Sequence, residues 1–222
     1  MLSVTNFRLL VAWMLTADDG GSDGRLTDYL SKPEKWLHYD PELFYGLNKL
    51  LAPENDRGVY LIEETNLLPN TKYFSEILPD SKDARYEWRE KLYQTAKKAD
   101  FVFFDPDNGL QVKSKPFGRK GSSKYLYWGE LEFLWGMEKS VLIYQHFPRI
   151  KRDKFIQTML ERLQDQTKGS LVSAFSTPYV LFLFAWQPEH SQYHLPVIDR
   201  VKNTWAGPIK HWGLSDGFLT QN

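Results

Sequence analysis

Four short apolar segments recur along the chain, and stretches with helical spacing separate them. The segments cover residues 8–15, 58–62, 101–104 and 140–144. Residues 40–51 and 81–98 carry apolar side chains every three or four positions, and Asp40 followed by Pro41 predicts the start of the first helix. Strands that are apolar throughout are buried on both faces. The alternation therefore predicts a parallel sheet with helices packed on both sides.

The last third of the chain predicts a different arrangement of strands. Residues 170–175 and 179–186 both have the composition of strands, and only three residues separate them. So short a connection joins antiparallel neighbours. The predicted fold is α/β, a Rossmann-like three-layer sandwich whose mostly parallel sheet ends in a C-terminal antiparallel hairpin. A length of 222 residues fits one domain over residues 1–222, with 188–222 as a tail packed on its surface.

The composition excludes several kinds of site and partner. The chain has no Cys, which rules out disulfides, zinc–thiolate sites and thiol nucleophiles. Its 28 basic and 28 acidic side chains balance, so net charge indicates neither a nucleic acid nor a membrane surface as partner. No apolar run reaches the roughly 18 residues of a membrane span, and the first residues lack the pattern of a signal peptide. We therefore expect a cytoplasmic protein without a membrane partner.

Polar side chains follow each of the four predicted parallel strands. Ligands of such sheets bind beyond the carboxyl ends of the strands, where loops from neighbouring strands meet. We therefore expect these side chains to line one cleft. They are Asp18, Asp19, Gly20 and Gly21 after the first strand, Glu63 and Glu64 after the second, Asp105, Asp107 and Asn108 after the third, and His146 after the fourth.

The run Asp105-Pro106-Asp107-Asn108-Gly109 is the sharpest candidate for chemistry. Pro106 fixes a backbone angle and Gly109 permits a left-handed turn, so the loop holds two carboxylates and an amide rigidly at the end of a buried strand. Carboxylates in this position can accept hydrogen bonds from an amine, hold a divalent cation, or act as a base once desolvated. The alternative is an Asx-type turn that only ends the strand.

Basic residues follow this acidic loop and the next strand, and one histidine lies at the end of that strand. A basic rim suits a phosphate-bearing substrate such as a nucleic acid, although a solvated loop has the same composition. His146 is a candidate general base or contact to a base edge, and the alternative is a structural histidine. The candidate substrate-binding residues are Lys113, Lys115, Arg119, Lys120 and Arg149.

A sheet that ends in a hairpin, with an Asp-Pro turn after an inner strand, resembles the class I S-adenosylmethionine-dependent methyltransferase fold. Residues 101–163 are similar to amino-methylating enzymes of the Asp-Pro-Pro-Tyr type, which include ribosomal-RNA adenine methyltransferases. The resemblance implies that the Asp105 carboxylate and the Pro106 carbonyl accept hydrogen bonds from the target amine. Asp107 and Asn108 stand where that family has its second proline and its aromatic residue.

The same resemblance implies where the cofactor, S-adenosylmethionine, would bind. In that family an acid and closely spaced glycines follow the first strand, and here the corresponding residues are Asp18, Asp19, Gly20 and Gly21, with a different spacing. An acid after the second strand holds the ribose hydroxyls, which points to Glu63 or Glu64.

Three functions remain open from the sequence. The first is a methyltransferase-like protein that acts on an amino group of a nucleic acid or another phosphate-bearing substrate. The second is a nuclease or phosphodiesterase in which Asp105, Asp107 and Glu63 or Glu64 bind Mg²⁺ while Lys113 steadies the water or the phosphate. The third is a non-catalytic module that binds nucleic acid or another partner through its basic loop.

Overall fold

The computed structural model describes residues 7–17, 27–51, 58–65 and 67–214. Its main feature is a seven-stranded sheet with the strand order β2-β1-β3-β6-β8-β7-β9, and β4 and β5 form a separate small parallel sheet. The strands are β1 (Leu9–Ala12), β2 (Thr71–Phe74), β3 (Phe101–Phe104), β4 (Gly109–Leu110), β5 (Tyr125–Leu126), β6 (Ser140–His146), β7 (Leu171–Ser176), β8 (Val180–Trp186) and β9 (Lys210–Gly213).

The large sheet is mixed. β1 pairs in parallel with both β2 and β3, and β3 pairs in parallel with β6. β8 runs antiparallel to its two neighbours, β6 and β7, and β9 runs antiparallel to β7. The predicted α/β class is confirmed.

Helices connect the strands and bury apolar side chains against the sheet. Asp40 caps α2 as predicted, because its carboxylate accepts a hydrogen bond from the Leu43 N–H at 3.1 Å. No helix in the described part of the chain is both long enough and apolar enough to cross a bilayer. The α-helices are α1 (Pro33–Trp36), α2 (Pro41–Leu50), α3 (Tyr60–Glu63), α4 (Lys82–Ala96), α5 (Trp128–Gly136), α6 (Arg152–Gln166) and α7 (Ser191–Thr204), and short 3₁₀ turns cover Asp28–Ser31, Ser122–Lys124 and Pro188–His190.

Two apolar clusters lie on opposite faces of the sheet, because side chains alternate along each strand. The larger cluster packs Leu10 of β1 against α4, α5 and α6. The smaller cluster packs Leu9 and Val11 of the same strand against Ile198 of α7. Towards the carboxyl end of the strands the second face is only partly covered, and Trp13 and other aromatic side chains there are half-buried.

The prediction of a strand over residues 58–62 is wrong. The short helix α3 begins within that segment, and the second strand in chain order, which pairs with β1, is β2. β2 lies at the edge of the sheet and alternates between half-buried and exposed side chains before Phe74, which is buried. An edge strand needs no continuous apolar run. An apolar run alone therefore does not distinguish a buried strand from a short helix here.

The segment after residue 188 contains more regular structure than the predicted surface tail. It contains α7, with His194 and Ile198 buried, and β9, which extends the sheet beyond β7. Pro196 lies inside α7 and suggests a helix break in the sequence. Trp212 of β9 donates from its indole N–H to the Ser176 hydroxyl at 2.8 Å, which ties this strand to β7.

Candidate functional site

The candidate site lies where the order of the strands reverses. The chain passes from β1 to β2 on one side and then to β3 on the other side of β1. Such a switch point leaves a crevice between the carboxyl ends of the two inner strands, which is where ligands bind in open α/β sheets. Asp105 directly follows β3, and its backbone N–H donates to the Ala12 carbonyl at the end of β1 at 3.0 Å. The predicted acidic loop therefore begins at the switch point.

The loop from Asp105 to Gly109 is held by the last residues of β6. The Gln145 side chain donates from Nε2 to the Asn108 carbonyl at 3.2 Å and accepts from the Leu110 N–H at 2.8 Å. Gly109 has φ +111°, and a Cβ at this position would meet the Gln145 amide. Only glycine fits this left-handed conformation and close approach without strain. The sequence therefore builds a rigid turn.

The Asp105 carboxyl group is the most perturbed acid of the loop. Burial raises its pKa to about 6, and the nearby Asp107 carboxylate contributes to this rise. Within the described residues no group donates a hydrogen bond to it. Asp107 differs, because its carboxylate forms an ion pair with Lys124 Nζ at 2.8 Å. The two acids therefore differ: Asp105 has a raised pKa of about 6, and Asp107 is paired with a lysine.

Aromatic side chains flank Asp105 on the second face of the sheet. Phe104 pairs with Ile143 in parallel register, so the following residues, Asp105 and Tyr144, lie side by side. On the other flank, Trp13 follows β1 and stacks on Tyr73, with ring centroids 6.2 Å apart. The Trp13 indole N–H is buried and has no hydrogen-bond partner in the described structure.

His146 is the last residue of β6 and lies at the same edge. Its side chain is exposed, and its Nε2 lies 3.3 Å from the Tyr144 hydroxyl. Its backbone N–H donates to the Asn108 carbonyl at 3.3 Å, which brings the loop and the histidine together as predicted from the strand ends.

The predicted cofactor residues divide into three groups. Asp18, Asp19, Gly20 and Gly21 lie outside the described residues. Glu63 belongs to α3 and does not end a strand, yet its carboxylate accepts a hydrogen bond from the Ser75 hydroxyl, directly after β2. Glu64 is exposed. The fold therefore brings Glu63 to the carboxyl end of the second parallel strand by a route that the sequence did not indicate.

The basic residues after the acidic loop lie in an anchored segment. The Asp80 carboxylate accepts from the Gly121 and Ser123 N–H groups, each at 2.7 Å. Lys113 and Lys115 line a cavity of about 410 Å³ between this segment, α4 and α5. Arg119 and Lys120 are exposed on the same segment, and Arg149 is exposed between β6 and α6.

Sequence reasoning missed the residues that build this cavity. Arg85 is fully buried, and its guanidinium donates to both carboxylate oxygens of Glu130 at 2.8 and 2.9 Å. Arg89, one turn further along α4, lines the cavity. The sequence does contain a sign of these residues, because Arg85 falls on the apolar stripe that Trp88 and Leu92 define on α4. A charge on such a stripe predicts a buried partner.

No metal centre is apparent in the ranges 7–17, 27–51, 58–65 and 67–214. These residues contain no group of three or more His, Cys, Asp or Glu side chains placed to hold a metal ion. Lys124 already pairs with Asp107, one of the three acids that the metal hypothesis needs.

No protein-family model and no curated protein matches the sequence. Among solved structures, the chain is similar to the crystal structure of protein LPL1258 from Legionella pneumophila str. Philadelphia 1, which carries the family model DUF519. The superposition covers 97% of this chain and 92% of that protein, with 10% sequence identity and a TM-score of 0.47. A likeness at that level carries no conclusion about this chain.

Proposed function

We propose that the protein is an S-adenosylmethionine-dependent methyltransferase that methylates an amino group of a nucleic acid or another phosphate-bearing substrate. The observation that carries the proposal is Asp105, a half-buried carboxyl group without a hydrogen-bond donor among the described residues, at the switch point of the sheet. Pro106 follows it and is buried, so its carbonyl is held by a rigid turn.

The arrangement of strands and helices supports a Rossmann-like, methyltransferase-type layout. Helices α4, α5 and α6 pack on one face of the sheet and α7 packs on the other. The antiparallel pair β7 and β8 follows the parallel strands, and the Asp-Pro turn follows β3, which is an inner strand. These are the features on which the resemblance to class I methyltransferases rests.

The described residues that surround the site fit the proposed cofactor. S-adenosylmethionine supplies an electrophilic methyl group and presents an adenine ring and ribose hydroxyls for recognition. The Glu63 carboxylate, beside Ser75 at the end of β2, is the acceptor available to the hydroxyls. The orphan indole N–H of Trp13 is a donor available to a ring nitrogen.

Asp105 has the chemistry that amine methylation needs. At neutral pH a carboxyl group with a pKa of about 6 is mostly ionised, so it can accept a hydrogen bond from the target N–H and orient the nitrogen lone pair. The Pro106 carbonyl is a second acceptor for the same amine. Methylation leaves an extra proton on the nitrogen, and the raised pKa makes Asp105 a competent acceptor for it.

Thermal denaturation with S-adenosylhomocysteine tests cofactor binding. A ligand at about 100 times its Kd stabilises the native state by about 2.7 kcal/mol. For a chain of this size each kcal/mol is worth about 2–4 °C in Tm, so we expect a rise of about 5–10 °C. A Tm that does not move at millimolar ligand would contradict the proposal.

Transfer of a labelled methyl group to RNA and DNA oligonucleotides tests the reaction. We expect Asp105→Asn to lower transfer at least about 100-fold, because the acceptor of the amine proton is removed, while S-adenosylhomocysteine still raises Tm. Asp83→Asn, in the exposed first turn of α4, is the matched control and should transfer at the wild-type rate. Equal activity of both variants would refute the role of Asp105.

A further inference from the structure

The cavity of about 410 Å³ beside the acidic loop combines cations with aromatic rings. Its volume lies within the range of about 300–1,000 Å³ that is typical of small-ligand sites. Gln111 also lines it and follows the Asp105–Gly109 loop within two residues, so the cavity opens next to the candidate site. The side chains that matter for its chemistry are Tyr86, Arg89, Lys113, Lys115, Phe117 and Tyr127.

The floor of the cavity is fixed by a buried ion pair. Arg85 pairs with Glu130 and also donates to the Ser122 and Tyr125 carbonyls at 2.8 and 2.7 Å. Glu130 additionally accepts from the Tyr127 N–H at 3.0 Å. The carboxylate that lines the cavity is therefore neutralised, and the walls are held by bonds that connect α4, α5 and the loop.

The remaining charges that line the cavity are positive. None of Arg89, Lys113 and Lys115 forms an ion pair within the described residues. The Nε of Arg89 is buried and has no hydrogen-bond partner there. A buried donor on a cation without an acceptor is costly, and an anionic oxygen would satisfy it. The cavity is therefore suited to a negatively charged ligand.

Rings stand next to these cations and indicate that the ligand also has a flat part. The Arg89 guanidinium lies 4.6 Å from the centre of the Tyr86 ring. The Phe117 and Tyr86 ring centroids are 5.4 Å apart, and Tyr86 is 37% exposed, so part of its ring reaches solvent. Alternating rings and cations bind the stacked bases and the phosphates of single strands.

We propose that this cavity binds a nucleotide of a single-stranded nucleic acid, with its phosphate on Arg89, Lys113 and Lys115 and its base on Tyr86 and Phe117. The inference deepens the proposed function. It rests on that function only for the role of the strand, which would be the substrate whose target amine lies at Asp105. A free nucleoside phosphate has the same chemistry, and the experiment separates the two sources.

Fluorescence anisotropy with a labelled single-stranded RNA of about 12 nucleotides, within the span of one such binding site, tests the proposal at several salt concentrations without cofactor. We expect Lys113→Ala/Lys115→Ala to weaken binding at least about tenfold. The plot of log K against log salt should also become shallower by about 0.7 for each phosphate that the variant no longer neutralises. Tyr86→Ala should weaken binding at least about fivefold with an unchanged slope, because stacking releases no counterions. Tyr86→Phe keeps the ring and should bind as the wild type does.

The matched control removes the same charge from the opposite edge of the sheet. Lys98 and Lys168 are exposed near the C-terminal ends of α4 and α6, and Lys98→Ala/Lys168→Ala should leave affinity and slope unchanged. All substituted side chains are exposed, so the variants should fold, which melting curves check. If this control weakens binding as much as the change at Lys113 and Lys115, or if Tyr86→Ala binds normally, the proposal is wrong.

Further arms separate the strand from small ligands and from the methyltransferase proposal. If AMP competes with the RNA at equal affinity and responds to the same variants, the site binds a free nucleotide and the proposal of a strand is wrong. If only the oligonucleotide binds tightly, the site binds a strand. If neither the oligonucleotide nor AMP binds, the inference is wrong. Strand binding without any S-adenosylhomocysteine shift would refute the proposed function and leave this inference intact.

Discussion

Asp105→Asn is expected to stabilise the protein at alkaline pH while it removes the proposed activity. The pKa of Asp105 rises from its ordinary value of 3.8 to about 6, chiefly because the carboxyl group is buried. Each unit of pKa corresponds to about 1.36 kcal/mol, so the ionised group destabilises the native state by about 3 kcal/mol. Asp105 is half-buried, so this value is an upper bound on the cost.

The pH window of this effect follows from the direction of the pKa change. Below about pH 4 Asp105 is protonated in both the native and the unfolded state and has no effect on stability. Between about pH 4 and 6 the unfolded chain releases the proton while the native state retains it, so this group makes stability fall as pH rises. Above about pH 6 the full cost is present. An uncharged Asn removes it.

Urea denaturation followed by tryptophan fluorescence measures the free energy of unfolding at about pH 4 and about pH 8, on either side of this window. We expect the difference between Asp105→Asn and the wild type to be up to about 3 kcal/mol more favourable to the variant at the higher pH. Packing changes cancel in this comparison. Asp100→Asn is the control of opposite sign, because the hydrogen bond from Arg8 lowers the Asp100 pKa and the variant should lose stability at the higher pH. If the effect of Asp105→Asn does not change with pH, its carboxyl group is not desolvated.

Three further substitutions are tested by urea denaturation, two at supports of the site and one at a buried histidine of the core. Arg85→Ala leaves the Glu130 carboxylate buried without its partner and should lower the free energy of unfolding by about 3–5 kcal/mol, whereas a loss below about 1 kcal/mol would show that water reaches Glu130. Gly109→Ala places a side chain at φ +111° against Gln145 and should cost about 1–3 kcal/mol, and wild-type stability would mean that the turn relaxes. Burial lowers the pKa of His194 to about 3, so its contribution to stability is present above about pH 6.5 and falls as the pH decreases towards 3. The free energy of unfolding of His194→Gln should therefore fall less than that of the wild type between about pH 7 and 5, and parallel pH profiles would contradict this.

Inner strands and the loop after them were predictable because each is specified locally. Residues 101–104 are apolar throughout, and the same residues form β3, buried between β1 and β6. The turn at Asp105 and Pro106 follows from the properties of proline and from the end of the apolar run. These features depend on neighbouring residues and not on distant partners, so the predicted strand and the predicted position of the loop both agree with the structure.

Features set by distant partners were not predictable from the sequence. β2 is a strand because β1 offers it a free edge, and its own residues give little indication of one. Glu63 reaches the end of β2 from a helix, through a contact with Ser75 twelve positions away. Arg85 and Glu130 are 45 positions apart, so an isolated charge on an apolar stripe predicts a partner without identifying it.

Backbone hydrogen bonds connect the acidic loop to the basic segment that lines the cavity. The Asn108 N–H donates to the Lys124 carbonyl at 2.9 Å and the Gln111 N–H donates to the Leu126 carbonyl at 2.8 Å. The two ends of the basic segment are thereby fixed to the strand that follows the acidic turn. The turn is thereby connected to the segment that contributes Lys113 and Lys115 to the cavity. A base at Asp105 and a phosphate beside Arg89 would be held at a constant separation, which is the positioning that a strand-directed reaction requires.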